Sequence, residues 1–94
     1  MAIARFNGVV VAESETVETL EGSLYFPRDR VRMDLLERCS TRTVCTWRGA
    51  ATYYNVRVGD RLEPAAAWSY QNPKRRARRI EGAVAFWKGI EVEP

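Results

Sequence analysis

Residues 50–58 read Ala-Ala-Thr-Tyr-Tyr-Asn-Val-Arg-Val, and this stretch decides the fold class. Thr52, Tyr54, Val56 and Val58 fall on one side of an extended chain, and the residues between them fall on the other. β-Branched and aromatic side chains fit a pleated surface well. A glycine lies at either end of the stretch, as is common where strands end. The pattern predicts a strand with one buried face.

Other short strands are predicted on both sides of this one. Asn7-Gly8 separates residues 2–6 from 9–13 and is a strong signal of a β-hairpin, because both turn residues tolerate positive φ. Residues 31–36 alternate and suit a strand after a single helical turn at 28–30, whereas polar residues 38–43 suit a loop. Further strands are expected at residues 14–22 (a charged edge), 24–26, 44–48, 65–70, 83–87 and 90–93. An exposed strand edge would allow a homodimer.

The composition excludes several classes of function. Ninety-four residues suit one domain over residues 1–94, and 46% hydrophobic with 29% charged residues is typical of a globular chain. The sequence has no histidine, which rules out Ser-His-Asp, Cys-His and HExxH chemistry. Cys39 and Cys45 lack the number and spacing of a zinc site, so we expect two free thiols, Cys45 in or near the core, and no metal or cofactor.

No apolar run approaches the roughly 20 residues that span a bilayer. The N-terminus lacks the charged start, the apolar stretch and the cleavage site of a secretion signal. We therefore expect a cytoplasmic protein without a membrane partner.

The net charge of +3 is concentrated in one place. The basic segment, residues 74–79, holds five positive charges, and the remaining 10 Lys and Arg face 12 Asp and Glu. Arginine and alanine favour a helix over residues 74–80, with Gly82 as its C-cap. Nucleic-acid phosphates are one partner for the five residues, and a solvated helix face is the simpler alternative. They are Lys74, Arg75, Arg76, Arg78 and Arg79.

Aromatic residues cluster in the predicted central strands. Trp47, Tyr53 and Trp68, with Tyr70 nearby, would form a cage for a nucleobase or a cation if they converge on one sheet face. Arginines at 32 and 48 would then bind an anionic group, and Asp34 or the asparagine at 55 would fix its orientation. The alternative is that these rings are simply the core of a small domain.

Several ordered blocks of the chain resemble the bacterial domain-of-unknown-function family 427. The blocks are YFPR at 25–28, VRMDLL at 31–36, CTWRG at 45–49, ATYY at 51–54, AAWSY at 66–70, Pro73, and IEGAVAFW at 80–87. The resemblance implies a β-tent-like fold of two antiparallel sheets meeting at an angle, similar to methionine sulfoxide reductase B and the cereblon ligand-binding domain. The fold class expected is thus mostly β, with one short helix near residues 74–80. The resemblance implies no particular activity.

The family is sometimes labelled nucleotidyltransferase-like, but the residues do not fit that chemistry. Nucleotidyl transfer needs a Gly-Ser followed by two nearby carboxylates for metal ions. Gly22-Ser23 is present, whereas Asp29 stands alone, and Asp34 and Glu37 have the wrong spacing. Sulfoxide reduction needs an activated thiolate, which Cys45 would supply, although a cysteine in an apolar strand is more often inert packing.

Three hypotheses follow. The first is a small-molecule-binding domain whose pocket lies on a sheet face and uses the residues Arg32, Asp34, Cys45, Trp47, Arg48, Tyr53, Trp68 and Tyr70. The second is an enzyme of unrecognised mechanism that uses Cys45 or Asp34 with Arg32 or Arg48. The third is a nucleic-acid accessory protein that binds through the basic segment.

Overall fold

The computed structural model describes residues 1–94 and consists of nine strands joined by turns and short 3-10 segments. The strands are β1 (Ala2–Phe6), β2 (Val9–Ser14), β3 (Glu18–Leu20), β4 (Ser23–Tyr25), β5 (Leu36–Cys45), β6 (Gly49–Val58), β7 (Arg61–Ser69), β8 (Val84–Phe86) and β9 (Glu91–Glu93). The 3-10 segments are Arg28–Arg30, Met33–Leu35 and Arg75–Ile80.

All strand pairs are antiparallel and form three sheets. The largest sheet has the order β5-β6-β7-β8, a second has the order β2-β1-β9, and β3 pairs with β4 alone. An isolated bridge from Phe26 to Val84 joins the segment after β4 to β8, and another from Ala12 to Val31 joins β2 to the segment before β5. The predicted mostly β architecture is confirmed. It contains three sheets where two were expected.

Two hydrophobic clusters fill the space between the sheets. The larger contains Phe6, Phe26, Val56 and Phe86, and it receives the predicted buried face of β6. The smaller lies under the basic segment and contains Leu20, Tyr25, Ala51, Tyr70, Ala77, Ile80, Ala83 and Ala85. Trp47, Tyr53 and Trp68 pack partly exposed against this second cluster.

The turns follow the local sequence. Asn7 and Gly8 both have positive φ, 52° and 77°, and they join β1 to β2 as predicted.

A bulge interrupts the β6–β7 pairing, where Ala65 has a φ of 52° and its N–H donates to Asn55 Oδ1 at 2.9 Å. Asn55 Oδ1 is therefore engaged with the backbone at this bulge.

Four local predictions are wrong. Met33–Leu35 is a 3-10 turn, so residues 31–36 are not a strand, and the predicted loop at 38–43 lies within β5. The charged edge at 14–22 is the end of β2 followed by the short strand β3. The predicted strand at 44–48 is wrong beyond Cys45, because residues 46–48 form the turn between β5 and β6. The short helix expected near residues 74–80 is present as the 3-10 helix Arg75–Ile80, with non-helical backbone at Ala77.

Candidate functional site

A shallow groove of about 240 Å³ lies on one face of the β5-β6-β7-β8 sheet. The register places Tyr53 opposite Trp68, and Trp68 opposite Ala85, so these side chains project from the same face. The other face carries Tyr54 and enters the larger cluster. The groove is lined by Thr43, Val44, Cys45, Arg48, Tyr53, Trp68, Tyr70 and Trp87.

Aromatic rings form the floor and one wall of the groove. The Trp68 indole meets the Trp87 ring edge to face, with centroids 5.8 Å apart, and lies tilted at 33° to the Tyr53 ring at 6.3 Å. Trp87 is 47% exposed and Val44 is 78% exposed, so two large apolar side chains stand at the rim in contact with water. Exposed apolar surface beside a concave aromatic face is typical of a binding site.

Arg48 is the charged residue of the groove. Its guanidinium lies over the rings of Trp47 and Tyr70, at 5.3 Å and 5.7 Å from their centroids. Its Nη2 atom forms an ion pair with Glu21 at 3.0 Å, and its Nε donates to Cys45 Sγ at 3.4 Å. The stacked rings fix the orientation of the guanidinium, and the half-exposed Glu21 is a counter-ion that an anionic ligand could replace.

Two ionisable groups in the groove are perturbed. The hydrogen bond from Arg48, with help from the backbone N–H groups of Trp47 and Arg48, lowers the pKa of the Cys45 thiol. Burial raises the pKa of the Tyr70 hydroxyl, and the positive charge of Arg48 opposes that effect. Cys45 is only partly buried, so the expectation that it lies in or near the core is wrong.

The structure brings together five of the eight predicted ligand-binding residues, namely Cys45, Arg48, Tyr53, Trp68 and Tyr70. Trp47 stands behind Arg48 and supports its guanidinium without lining the groove. Arg32 and Asp34 lie outside the groove, where they form an exposed ion pair with each other at 2.8 Å. The hydrogen bonds from Arg32 lower the pKa of the Asp34 carboxyl.

Three residues of the groove were missed in the sequence. In the predicted strand at 83–87, Trp87 has the same parity as Ala85, so the alternation already placed the two residues on the same sheet face. Thr43 was missed because residues 38–43 read as a loop, and Val44 was missed because only the aromatic, charged and thiol residues of the predicted strand at 44–48 were considered. Thr43 Oγ1 lies 3.2 Å from the Tyr53 hydroxyl, which places this part of β5 at the groove.

The carboxylates considered as metal ligands form ion pairs with arginines and do not cluster with one another. Asp34 pairs with Arg32, and Glu37 pairs with Arg57 at 2.6 Å. Both pairs are exposed, and no group of three or more Cys, Asp or Glu is arranged to hold a metal ion. The geometry therefore gives no support to metal-dependent nucleotidyl transfer.

A second hollow of about 380 Å³ borders the smaller cluster at Tyr25 and Ala83, and Arg28 is one of its lining residues. The Arg28 guanidinium donates to the Tyr54 hydroxyl at 2.9 Å, to Gly82 O at 3.0 Å and to Ser69 Oγ at 3.4 Å. All three acceptors are neutral parts of the fold. We interpret Arg28 as a structural connection between the clusters, and sequence patterns gave no sign of it.

No helix of the structure has both the length and the apolar composition needed to cross a membrane.

Comparison with known proteins gives a family and no activity. No curated protein matches the chain. A family model described as "Domain of unknown function (DUF427)" matches residues 2–93, which is nearly the whole chain. Because this match covers far more than half of the chain, the chain belongs to the family of domain of unknown function DUF427.

Proposed function

We propose that this protein is a small-molecule-binding domain whose ligand is a planar molecule with an anionic group. The ligand occupies the groove. The observation that carries this proposal is the combination of three ring faces, Tyr53, Trp68 and Trp87, with a single oriented guanidinium, Arg48.

The chemistry of the lining favours an anion over a cation. Aromatic cages attract cations through the ring faces, and a carboxylate in the lining would strengthen that attraction. The groove has no carboxylate, and Arg48 would repel an ammonium group. Arg48 can instead donate a charge-assisted hydrogen bond to a phosphate or carboxylate that displaces the Glu21 side chain.

The size of the groove limits the ligand. Drug-sized ligands occupy pockets of roughly 300 to 1,000 Å³, and this groove provides about 240 Å³. One planar ring system fits this space with its anionic group at the Arg48 end. A nucleobase with a phosphate has the required chemistry.

Binding should be tested by tryptophan fluorescence and thermal shift with AMP, adenosine and benzyltrimethylammonium. AMP should quench the emission and raise the melting temperature with concentration, because a ligand that binds the native state stabilises it. Adenosine should bind more weakly, since it lacks the charge for Arg48, and the cation should bind least.

Two variants localise the binding. Trp68 contacts Tyr25 and the smaller cluster, so its removal would disturb the fold, whereas Trp87 is half exposed. Trp87→Ala should weaken AMP binding about tenfold, while Val92→Ala, a truncation of an exposed residue in β9, should not change it. Equal affinities in Trp87→Ala and Val92→Ala would show that the groove is not the binding site.

A thiol-dependent enzyme is the second candidate, and one contact favours it. Cys45 is partly exposed, accepts a hydrogen bond from Arg48 and lies in the groove beside the proposed ligand. Asp34 and Arg32 do not line the groove and pair with each other instead, so this candidate does not use them. Incubation of the protein with a ligand that binds, followed by mass spectrometry of both, tests for turnover, and Cys45→Ser should abolish it.

A further inference from the structure

The basic segment exposes arginines that have no carboxylate partner. A 3-10 segment has three residues per turn, and Ala77 and Ile80 are buried, so the arginines between and before them face solvent. Arg79 pairs with Glu18 at 3.5 Å, whereas no salt bridge engages Arg75, Arg76 or Arg78. Three guanidinium groups therefore remain available within four residues.

The fold places this segment beside the groove. Lys74 N donates to Arg48 O at 2.8 Å, and Lys74 Nζ donates to Thr46 O at 2.8 Å, so the first residue of the segment is attached to the turn that carries Arg48. Tyr70, which lines the groove, lies in the same buried cluster as Ala77 and Ile80. The sequence gave no indication of this, because the basic segment itself contains no aromatic residue.

The turn that carries Arg48 packs at Gly49 against the chain where the basic segment begins, and the backbone conformation at this position favours glycine. Gly49 has a φ of 110°, and a Cβ atom there would lie 3.5 Å from the backbone of residues 72–74. Such a positive φ strains any residue with a side chain. The juxtaposition of the groove and the basic segment is thus built into the backbone.

We infer that the ligand of the groove is one base of a single-stranded nucleic acid, whose following phosphates lie along the basic segment. This inference rests on the proposed function of the groove. Single-strand binding sites combine aromatic rings that stack on bases with a positive surface that follows the backbone. Arginine suits the second task, because its planar donors match phosphate oxygens. Arg48, at the junction, would take the phosphate nearest to the bound base.

The test is fluorescence anisotropy with labelled octamers of dT and rU, measured from 50 to 300 mM salt. An Arg75→Gln/Arg76→Gln/Arg78→Gln triple variant should bind at least tenfold more weakly at low salt. Its log–log salt slope should be shallower by about 2, since each neutralised phosphate of a single strand contributes roughly 0.7. A matched triple variant, Arg30→Gln/Arg38→Gln/Arg42→Gln, removes the same charge from exposed positions elsewhere and should change the affinity less than threefold.

Trp87→Ala should also weaken octamer binding about tenfold, because a stacked base is lost. The inference is overturned if both triple variants weaken binding equally, if a poly-glutamate octamer binds as tightly as dT and rU, or if Trp87→Ala leaves octamer binding unchanged. It is also overturned if the octamers bind no more tightly than AMP. In that last case, AMP binding that is lost in Trp87→Ala would still support the proposed function. The failure of this inference can therefore be told apart from the failure of the proposed function.

Discussion

The indole Nε1 of Trp68 donates a hydrogen bond to the Tyr25 hydroxyl oxygen at 3.0 Å, and the two rings meet edge to face with centroids 6.1 Å apart. Tyr25 is 1% exposed, so the floor of the groove is attached to a side chain from β4 that is anchored in the smaller cluster. A ligand that stacks on Trp68 meets a ring whose orientation is already fixed. Preorganisation of this kind lowers the entropic cost of binding.

Tyr25→Phe tests how much this attachment contributes. The substitution leaves the Trp68 N–H without its acceptor, so the free energy of unfolding should fall by about 1 kcal/mol. Tyr53→Phe is the matched control, because its hydroxyl contacts only the exposed Thr43. Urea unfolding followed by circular dichroism measures both variants. If both variants lost the same free energy of unfolding, the hydrogen bond to Tyr25 would not be what fixes the Trp68 ring.

The lowered pKa of Cys45 predicts that this thiol stays reactive at lower pH than an ordinary thiol. Because Arg48 stabilises the thiolate, a larger fraction of Cys45 stays ionised as pH falls below the ordinary thiol pKa. In a Cys39→Ser background, alkylation by iodoacetamide should therefore decline at lower pH than alkylation of a model-peptide thiol. Arg48→Gln should move the midpoint of the rate profile to higher pH. Identical profiles with and without Arg48 would contradict the role of this contact.

Removing the Asn55 side chain should lower stability at the bulge in the β6–β7 pairing. Its Oδ1 accepts the Ala65 N–H, and Asn55→Ala leaves that donor unpaired beside a residue with positive φ, which should cost about 1 to 2 kcal/mol. Asn55→Asp keeps the acceptor and should lose less. Thermal unfolding of both variants decides the matter, and an Asp variant as unstable as the Ala variant would show that the hydrogen bond is not the cause.

Replacing Arg28 should cause the largest loss of stability among these variants. Arg28→Met removes the donors to Tyr54, Ser69 and Gly82, and it should lower the free energy of unfolding by about 3 kcal/mol. Arg30→Met changes an exposed arginine two residues away and should stay within about 0.5 kcal/mol of the wild type. Denaturant titrations compare the two directly. A mild effect of Arg28→Met would mean that water replaces the three contacts.

Strong local signals allowed much of the fold to be predicted from the sequence. The Asn7-Gly8 hairpin follows from positive φ at both residues, and the buried face of β6 follows from the alternation that ends at Val56 and Val58. The middle of β5, residues 38–43, was not recognised as a strand because β5 is an edge strand with mostly exposed side chains, so its composition resembles that of a loop. The 3-10 geometry of Arg75–Ile80 was equally hidden, because arginine and alanine suit an α-helix as well.

The candidate site was predictable in residue type and only partly in position. Tyr53, Trp68 and Tyr70 share a face that strand parity alone could assign. Arg32 and Asp34 were placed there on the assumption of a strand, and the 3-10 turn at Met33–Leu35 sends them elsewhere. The pairing of Arg48 with Glu21 depends on how β3 and β4 pack against the large sheet, which no local pattern encodes.

The position of Arg28 has a consequence for how the molecule comes apart. One guanidinium bonds to Tyr54, which belongs to the larger cluster, and to the turn at Gly82, which borders the smaller one. Opening either cluster alone would break hydrogen bonds of the same partly buried guanidinium, so neither cluster opens without loss of contacts that also hold the other. Amide hydrogens in β6 and β8 should therefore exchange with solvent through a single cooperative event, at one common rate.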